Sequence, residues 1–151
     1  MGAKEDKAPV QTIYDAAETA DLAAIESVLA DDVVLYEPTH HPAVLKDTDA
    51  GDEPGVWRGR EDAMAGIGKV FEALRLTGVV LQGIIADGSG TVVGLLEVNG
   101  TDTDGNPYSM PMTEVFKVSD GKVTEIRAYY FDIAQLGDHV LDAKARSDAA
   151  A

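Results

Sequence analysis

The chain has 151 residues, 45% hydrophobic and 26% charged, a profile that fits one folded domain with its own core. Twenty-seven acidic residues against 12 basic ones give a formal charge of −15, which repels nucleic acid, anionic membranes and strongly anionic substrates and leaves a neutral, weakly charged or cationic ligand. There is no cysteine, hence no disulfide framework, thiol nucleophile or thiolate metal site.

Residues 1–9 read as a flexible N-terminus without the apolar core of a signal peptide, and Asp6 breaks the myristoylation pattern. No apolar run reaches transmembrane length, so a cytoplasmic protein is expected. A first helix is predicted over about Val10 to Thr19, and Asp21 is a credible N-cap for a second over Leu22 to Ala30. A short strand, Val33 to Glu37, follows. The stretch from Pro38 to Gly59 is rich in Pro, Gly and Asp, holds His40, His41 and Trp57, and is long for a connection. A third helix runs from Arg60 to Leu74.

Four strands fill the second half: Val79 to Ala86, Thr91 to Asn99, Tyr108 to Val118 and Val123 to Asp132. They are joined by turns at Asp87-Gly88, Asp102 to Asn106 and Ser119-Asp120-Gly121. Helices followed by an antiparallel meander mean α+β, with the helices on one face of a curved sheet. A single domain spans residues 10–136, and the tail 137–151 is expected to fray.

Two acidic residues stand where apolar ones are expected. Glu37 closes the run Val33-Val34-Leu35-Tyr36 and precedes Pro38. Glu114 shares the alternation of Met110, Met112, Phe116 and Val118, the face a sheet normally buries. A buried carboxylate must pair, take up a proton or serve chemistry, so two on one apolar cavity point to acid–base work. Each also has a structural reading, Glu37 as a strand end facing water and Glu114 as a buried acid held by a tyrosine or backbone donor. His40 and His41 lie three and four residues past Glu37 but lack a third ligand. They are candidates for proton transfer or hydrogen bonding to Glu37, and no metal is expected.

In the last strand Ile126, Ala128, Tyr130 and Asp132 share one side, making Tyr130 and Asp132 pocket candidates. Val123, Glu125, Arg127, Tyr129 and Phe131 share the other. There Arg127, Tyr129 and Phe131 form the face a second copy would cover, so a homodimer is expected. Met112 and Met110 offer an adaptable apolar wall. Trp57 is a pocket candidate too, either as a lid or as an anchor for its loop.

The stretch Leu29-Ala30-Asp31-Asp32-Val33-Val34-Leu35-Tyr36-Glu37-Pro38 resembles the Ala-Asp-Asp…Asp-Pro signature of ketosteroid isomerases. Trp57-Arg58-Gly59-Arg60-Glu61 resembles the helix start that follows it, and Pro111 to Phe131 is similar to the last two strands. The superfamily includes nuclear-transport-factor-2-like proteins and SnoaL-like polyketide cyclases, and the resemblance covers residues 10 to 136. It implies a cone-shaped sheet wrapped around helices, a cystatin-like α+β barrel with a deep apolar pocket. It also implies that Glu37 takes the place of the proton-shuttling Asp, and Glu114 that of the protonated Asp that donates to the oxyanion. The oxyanion tyrosine of the isomerases falls at Ile13, with Tyr14 about 100° further round the helix. The long loop from Thr39 to Val56 is similar to the SnoaL-like branch.

The resemblance implies a cofactor-free cyclase or isomerase of secondary metabolism, of the kind found in antibiotic biosynthesis, acting on a bulky apolar polyketide-like substrate. An epoxide hydrolase or dehydratase of the same superfamily fits the same motifs, as does a non-catalytic binding or assembly module. No Gly-rich nucleotide signature occurs, and no cofactor is called for.

Overall fold

The computed structural model describes residues 2–47 and 53–136. The helices α1 (Ala3–Ala17) and α2 (Leu22–Ser27) lead into strand β1 (Leu29–Tyr36). A one-turn helix α3 (Pro42–Leu45), a short strand β2 (Val56–Arg58) and helix α4 (Arg60–Leu74) come next. Four long strands finish the domain: β3 (Leu76–Ala86), β4 (Thr91–Thr101), β5 (Pro107–Ser119) and β6 (Lys122–Tyr130). They form one curved, open six-stranded sheet in the order β2-β1-β6-β5-β4-β3. All neighbours are antiparallel except β1 and β6, which run parallel. That pairing brings the first strand beside the last and sets Glu37, at the end of β1, next to β6.

The architecture is the expected α+β one, and the differences lie at element ends. The first helix starts at Ala3, not near Val10. Asp6 is buried and accepts the Gly90 N–H at 3.1 Å, so the charged N-terminal turn is fastened to the β3–β4 turn 84 residues away. Asp21 caps α2 as predicted, its side chain accepting the Ala24 N–H, but the helix stops at Ser27 because Leu29 already pairs with Val123. Within the long connection, α3 and β2 form where no regular structure was predicted. The strand β6 ends at Tyr130, two residues short of Asp132. The tail expected to fray, residues 137–151, lies outside the described residues.

The core sits between the concave face and the helices, with α1 across β3 to β6 and α4 against β1 and β2. Phe116, Met110, Val92, Leu29 and Val10 are completely buried, each stabilising the fold by about 1.5–3 kcal/mol. Val123, placed by alternation on the outer face, is fully buried instead. The pairing shifts register between Lys117↔Glu125 and Val118↔Val123, and this bulge turns Val123 inward. Among the described residues no helix is long and apolar enough to cross a membrane.

Candidate active site

One rung of the sheet builds the site. Gly94 on β4 pairs with Glu114 on β5, which pairs with Ala128 on β6. The parallel register of β1 with β6 runs to Tyr36↔Arg127, so Glu37, the next residue, comes level with Ala128. The two glutamates therefore stand two strand spacings apart, roughly 10 Å between backbones, with only a methyl group between them. Gly94 leaves room for the Tyr14 hydroxyl beside Glu114, and Ala128 keeps the side chain between the two glutamates small.

Glu37 is held from three sides. Its N–H donates to the Gly55 carbonyl at 2.8 Å, Pro38 ends the strand, and its Oε2 accepts the Tyr130 hydroxyl at 2.9 Å. Glu114 is half-buried and lines the same cavity. Beside it lies Tyr14, whose ring meets Phe116 edge-on with centroids 5.9 Å apart. The Tyr14 hydroxyl is buried and makes no hydrogen bond of regular geometry, yet it is close enough to favour the ionised form of Glu114.

The cavity has a free volume of about 70 Å³ and is walled by apolar side chains, among them Ile13, Val70, Phe71, Leu96, Met112 and Phe116. Among the described residues its polar groups are Tyr14, Glu37, Glu114 and Tyr130, and no lysine, arginine or histidine lines it. Without a counter-charge, burial disfavours the carboxylates. It pushes Glu37 up to about 8, aided by the nearby Glu114 and opposed by the Tyr130 hydrogen bond. It pushes Glu114 up to about 7, opposed by Tyr14. The two groups repel one another when both are ionised, so these midpoints belong to the pair rather than to either residue. Burial and the neighbouring glutamates also raise both tyrosines, which stay neutral donors.

Of the residues predicted for the pocket, Tyr14, Glu37, Met112, Glu114 and Tyr130 line it together. Three do not. His40 is exposed, its Nδ1 only 3.4 Å from the Thr39 hydroxyl, because the chain turns outward after Pro38. Trp57 is buried on β2 but packs on α4, so close to Gly66 that a Cβ there would lie 2.6 Å from its ring; it anchors the loop instead of covering the cavity. Asp132 is exposed, since the alternation that would aim it inward stops with β6 at Tyr130.

His41, not His40, is the buried histidine. It is fully enclosed, its Nδ1 accepts the Ala43 N–H at 3.0 Å, and its ring lies 5.0 Å from that of Tyr130 at 54°. The His-Pro step before a short apolar run is the N-cap signal that could have found it. Gly94 and Ala128 were also missed, because their value is the space they leave. On the outer face, Tyr129 and Phe131 are exposed, while Arg127 pairs with Glu125 at 3.0 Å and lies 3.8 Å over the Tyr36 ring. Among the described residues no three His, Asp or Glu side chains are grouped to hold a metal ion.

The chain has the fold of several solved structures. An NTF2-like protein of unknown function from Burkholderia pseudomallei superposes with a TM-score of 0.72 at 18% identity, over 89% of this chain and 95% of that one. A protein of unknown function with a cystatin-like fold from Xanthomonas campestris gives 0.67 at 21%, over 86% and 93%. TerC, co-crystallised with polyporic acid, gives 0.68 at 17%, over 86% and 94%. No curated protein matches. The SnoaL-like domain family matches residues 10–126, which take in both glutamates, Tyr14 and Gly94, while Ala128 lies two residues beyond. The chain belongs to the SnoaL-like domain family.

Proposed function

We propose that the protein is a cofactor-free acid–base enzyme, a cyclase or isomerase that moves protons next to a carbonyl group in an apolar, polyketide-like substrate. The observation that carries this reading is the coupled pair, Glu37 and Glu114, in one cavity without a cation. With a single proton on the pair, one member is a base and the other an acid. The two midpoints alone favour the proton on Glu37. Glu37 is assigned as the base because it accepts a hydrogen bond of regular geometry, from Tyr130, which stabilises its ionised form. Glu37 has its Oε2 occupied by Tyr130, so Oε1 takes the proton from the carbon beside the carbonyl. Protonated Glu114 and the Tyr14 hydroxyl donate to the oxygen as it gains charge. The C–H electrons pass into an enol. Return of the proton from Glu37 at another carbon gives an isomer. Attack of the enol carbon on a second carbonyl instead closes a ring, the enol proton going back to Glu114 and the proton held by Glu37 neutralising the new alkoxide, which restores the pair.

The charge of −15 and the absence of cations in the cavity support a neutral substrate. A free volume of about 70 Å³ is well below the roughly 300–1,000 Å³ of a drug-sized site. A fused-ring substrate therefore enters by displacing wall side chains, with Met112 the most adaptable, while a monocyclic ketone needs less movement.

The test uses simple probes: deuterium exchange beside the carbonyl of cyclohexanone, and conjugation of a β,γ-unsaturated cyclic ketone followed by ultraviolet absorbance. Glu37→Gln and Glu114→Gln should each lower the rate by about 10²–10⁴-fold with the fold intact. Rates within a factor of two of wild type in both variants would overturn the assignment. Incorporation of labelled oxygen from water into a natural product would move it to the epoxide hydrolases.

A further inference from the structure

His41 is a buried titratable side chain close to the pair that the proposed reaction does not use. It caps α3 through Nδ1, which accepts the Ala43 N–H, so the neutral ring carries its proton on Nε2. That Nε2 is buried and has no hydrogen-bond partner. Burial lowers the imidazole to about 4, which keeps the ring uncharged at neutral pH. A cap alone needs only a small polar side chain such as Asn or Ser. An imidazole costs a buried, unpaired donor as well, and what it adds is a plane fixed by the cap and laid against Tyr130.

We propose that His41 is a positioning residue for the acid–base pair: its ring, locked by the Ala43 N–H, holds the Tyr130 phenol on Oε2 of Glu37 and so leaves Oε1 as the basic oxygen. The inference rests on the reaction proposed above only in giving Oε1 its use. The Tyr130 phenol bridges histidine and carboxylate, since it packs on one and donates to the other. Other groups act on this cluster: Glu114 from β5 on both Glu37 and Tyr130, Tyr14 from α1 through Glu114, and Tyr108 on the Tyr130 phenol. The donated hydrogen bond favours the carboxylate, so loosening the phenol should make Glu37 harder to ionise.

The test is a double-mutant cycle read by carbon NMR titration of labelled glutamate side chains, which needs no substrate. Tyr130→Phe should raise the midpoint of Glu37. His41→Asn, which keeps a capping side chain and removes the ring, should raise it in the same direction. On the Tyr130→Phe background His41→Asn should change nothing further. His41→Phe, which keeps a ring and gives up the hydrogen bond that locks it, is the second variant if His41→Asn does not fold, and should raise the midpoint by less than Tyr130→Phe does. An unchanged or lowered midpoint in His41→Asn, an equal shift on both backgrounds, or a large shift in His41→Phe would overturn the proposal. Loss of exchange activity in every form, with the cycle behaving as expected, would instead sink the proposed reaction and leave the role of His41 standing.

Discussion

Gly94 and Tyr14 occupy one space: a Cβ on Gly94 would overlap the Tyr14 hydroxyl. A glycine inside a strand weakens the strand, and this one makes room for a phenol next to the carboxylate on the paired strand. Gly94→Ala should therefore displace Tyr14, at a cost of about 1–3 kcal/mol in urea unfolding, and raise the midpoint of Glu114 as Tyr14→Phe does. On a Tyr14→Leu background the same substitution should cost much less, since the clash is gone. Equal costs on the two backgrounds would show that the glycine serves the strand itself.

Ala128 lies between the two glutamates on the same rung. Ala128→Leu should crowd the space between the glutamates, lower deuterium exchange of the ketone probe at least as much as removal of one carboxyl, and cost about 1–3 kcal/mol in stability through overpacking. Retention of the wild-type exchange rate would mean that the substrate does not reach between the glutamates.

The rate should follow a bell-shaped pH profile. Below about 7 both carboxyls are protonated and no base remains; above about 8 both are ionised and no acid remains. Activity should therefore peak between these values and lose one limb in each Gln variant. A profile that keeps rising to pH 9 would count against a shared proton.

Stability should fall with pH across the same range. Both carboxyls have folded midpoints raised above 4.5, so the folded state holds protons that the unfolded chain has released. Their contribution is full below about 4.5 and is lost as pH rises to 7–8, at ~1.4 kcal/mol per pH unit for each carboxyl. His41 is lowered by burial and acts in the opposite sense below 6.5, so urea unfolding at pH 6.5 and 8 isolates the glutamates. Glu114→Gln should weaken the dependence between those two points; an unchanged slope would contradict burial as the cause of the shift.

We propose that the outer face pairs with a second copy. Val93 faces Val115 and Leu95 faces Thr113 across β4 and β5, and Tyr129 and Phe131 lie exposed beside them. This is an apolar centre with Arg127 and Glu125 at its margin, the pattern of a two-fold interface. Light scattering at micromolar concentration should give twice the chain mass, halved when Tyr129 and Phe131 are both replaced by glutamate. A wild-type monomer would refute it.

Local rules in the sequence determined much of this protein. Alternation identified the long strands and placed Glu114 among Met110, Met112 and Phe116 on the inner face; Asp-Gly pairs marked the turns; Asp21 marked a cap. The helical period from about Arg60 to Leu74 identified α4. These signals are legible because each depends on neighbours within a few positions. What only the tertiary structure decided depends on contacts between distant residues. Asp6 is buried because Gly90 offers a donor across 84 residues, so a charged N-terminus becomes helix. Val123 turns inward because of a register shift with β5. His41 rather than His40 enters the interior because Pro42 starts a helix whose cap His41 supplies. Asp132 stays outside because β6 ends first. The site depends most on this level, since Glu37 meets Glu114 only through the parallel pairing of β1 with β6 and the space left by Gly94 and Ala128, and no local pattern records a space.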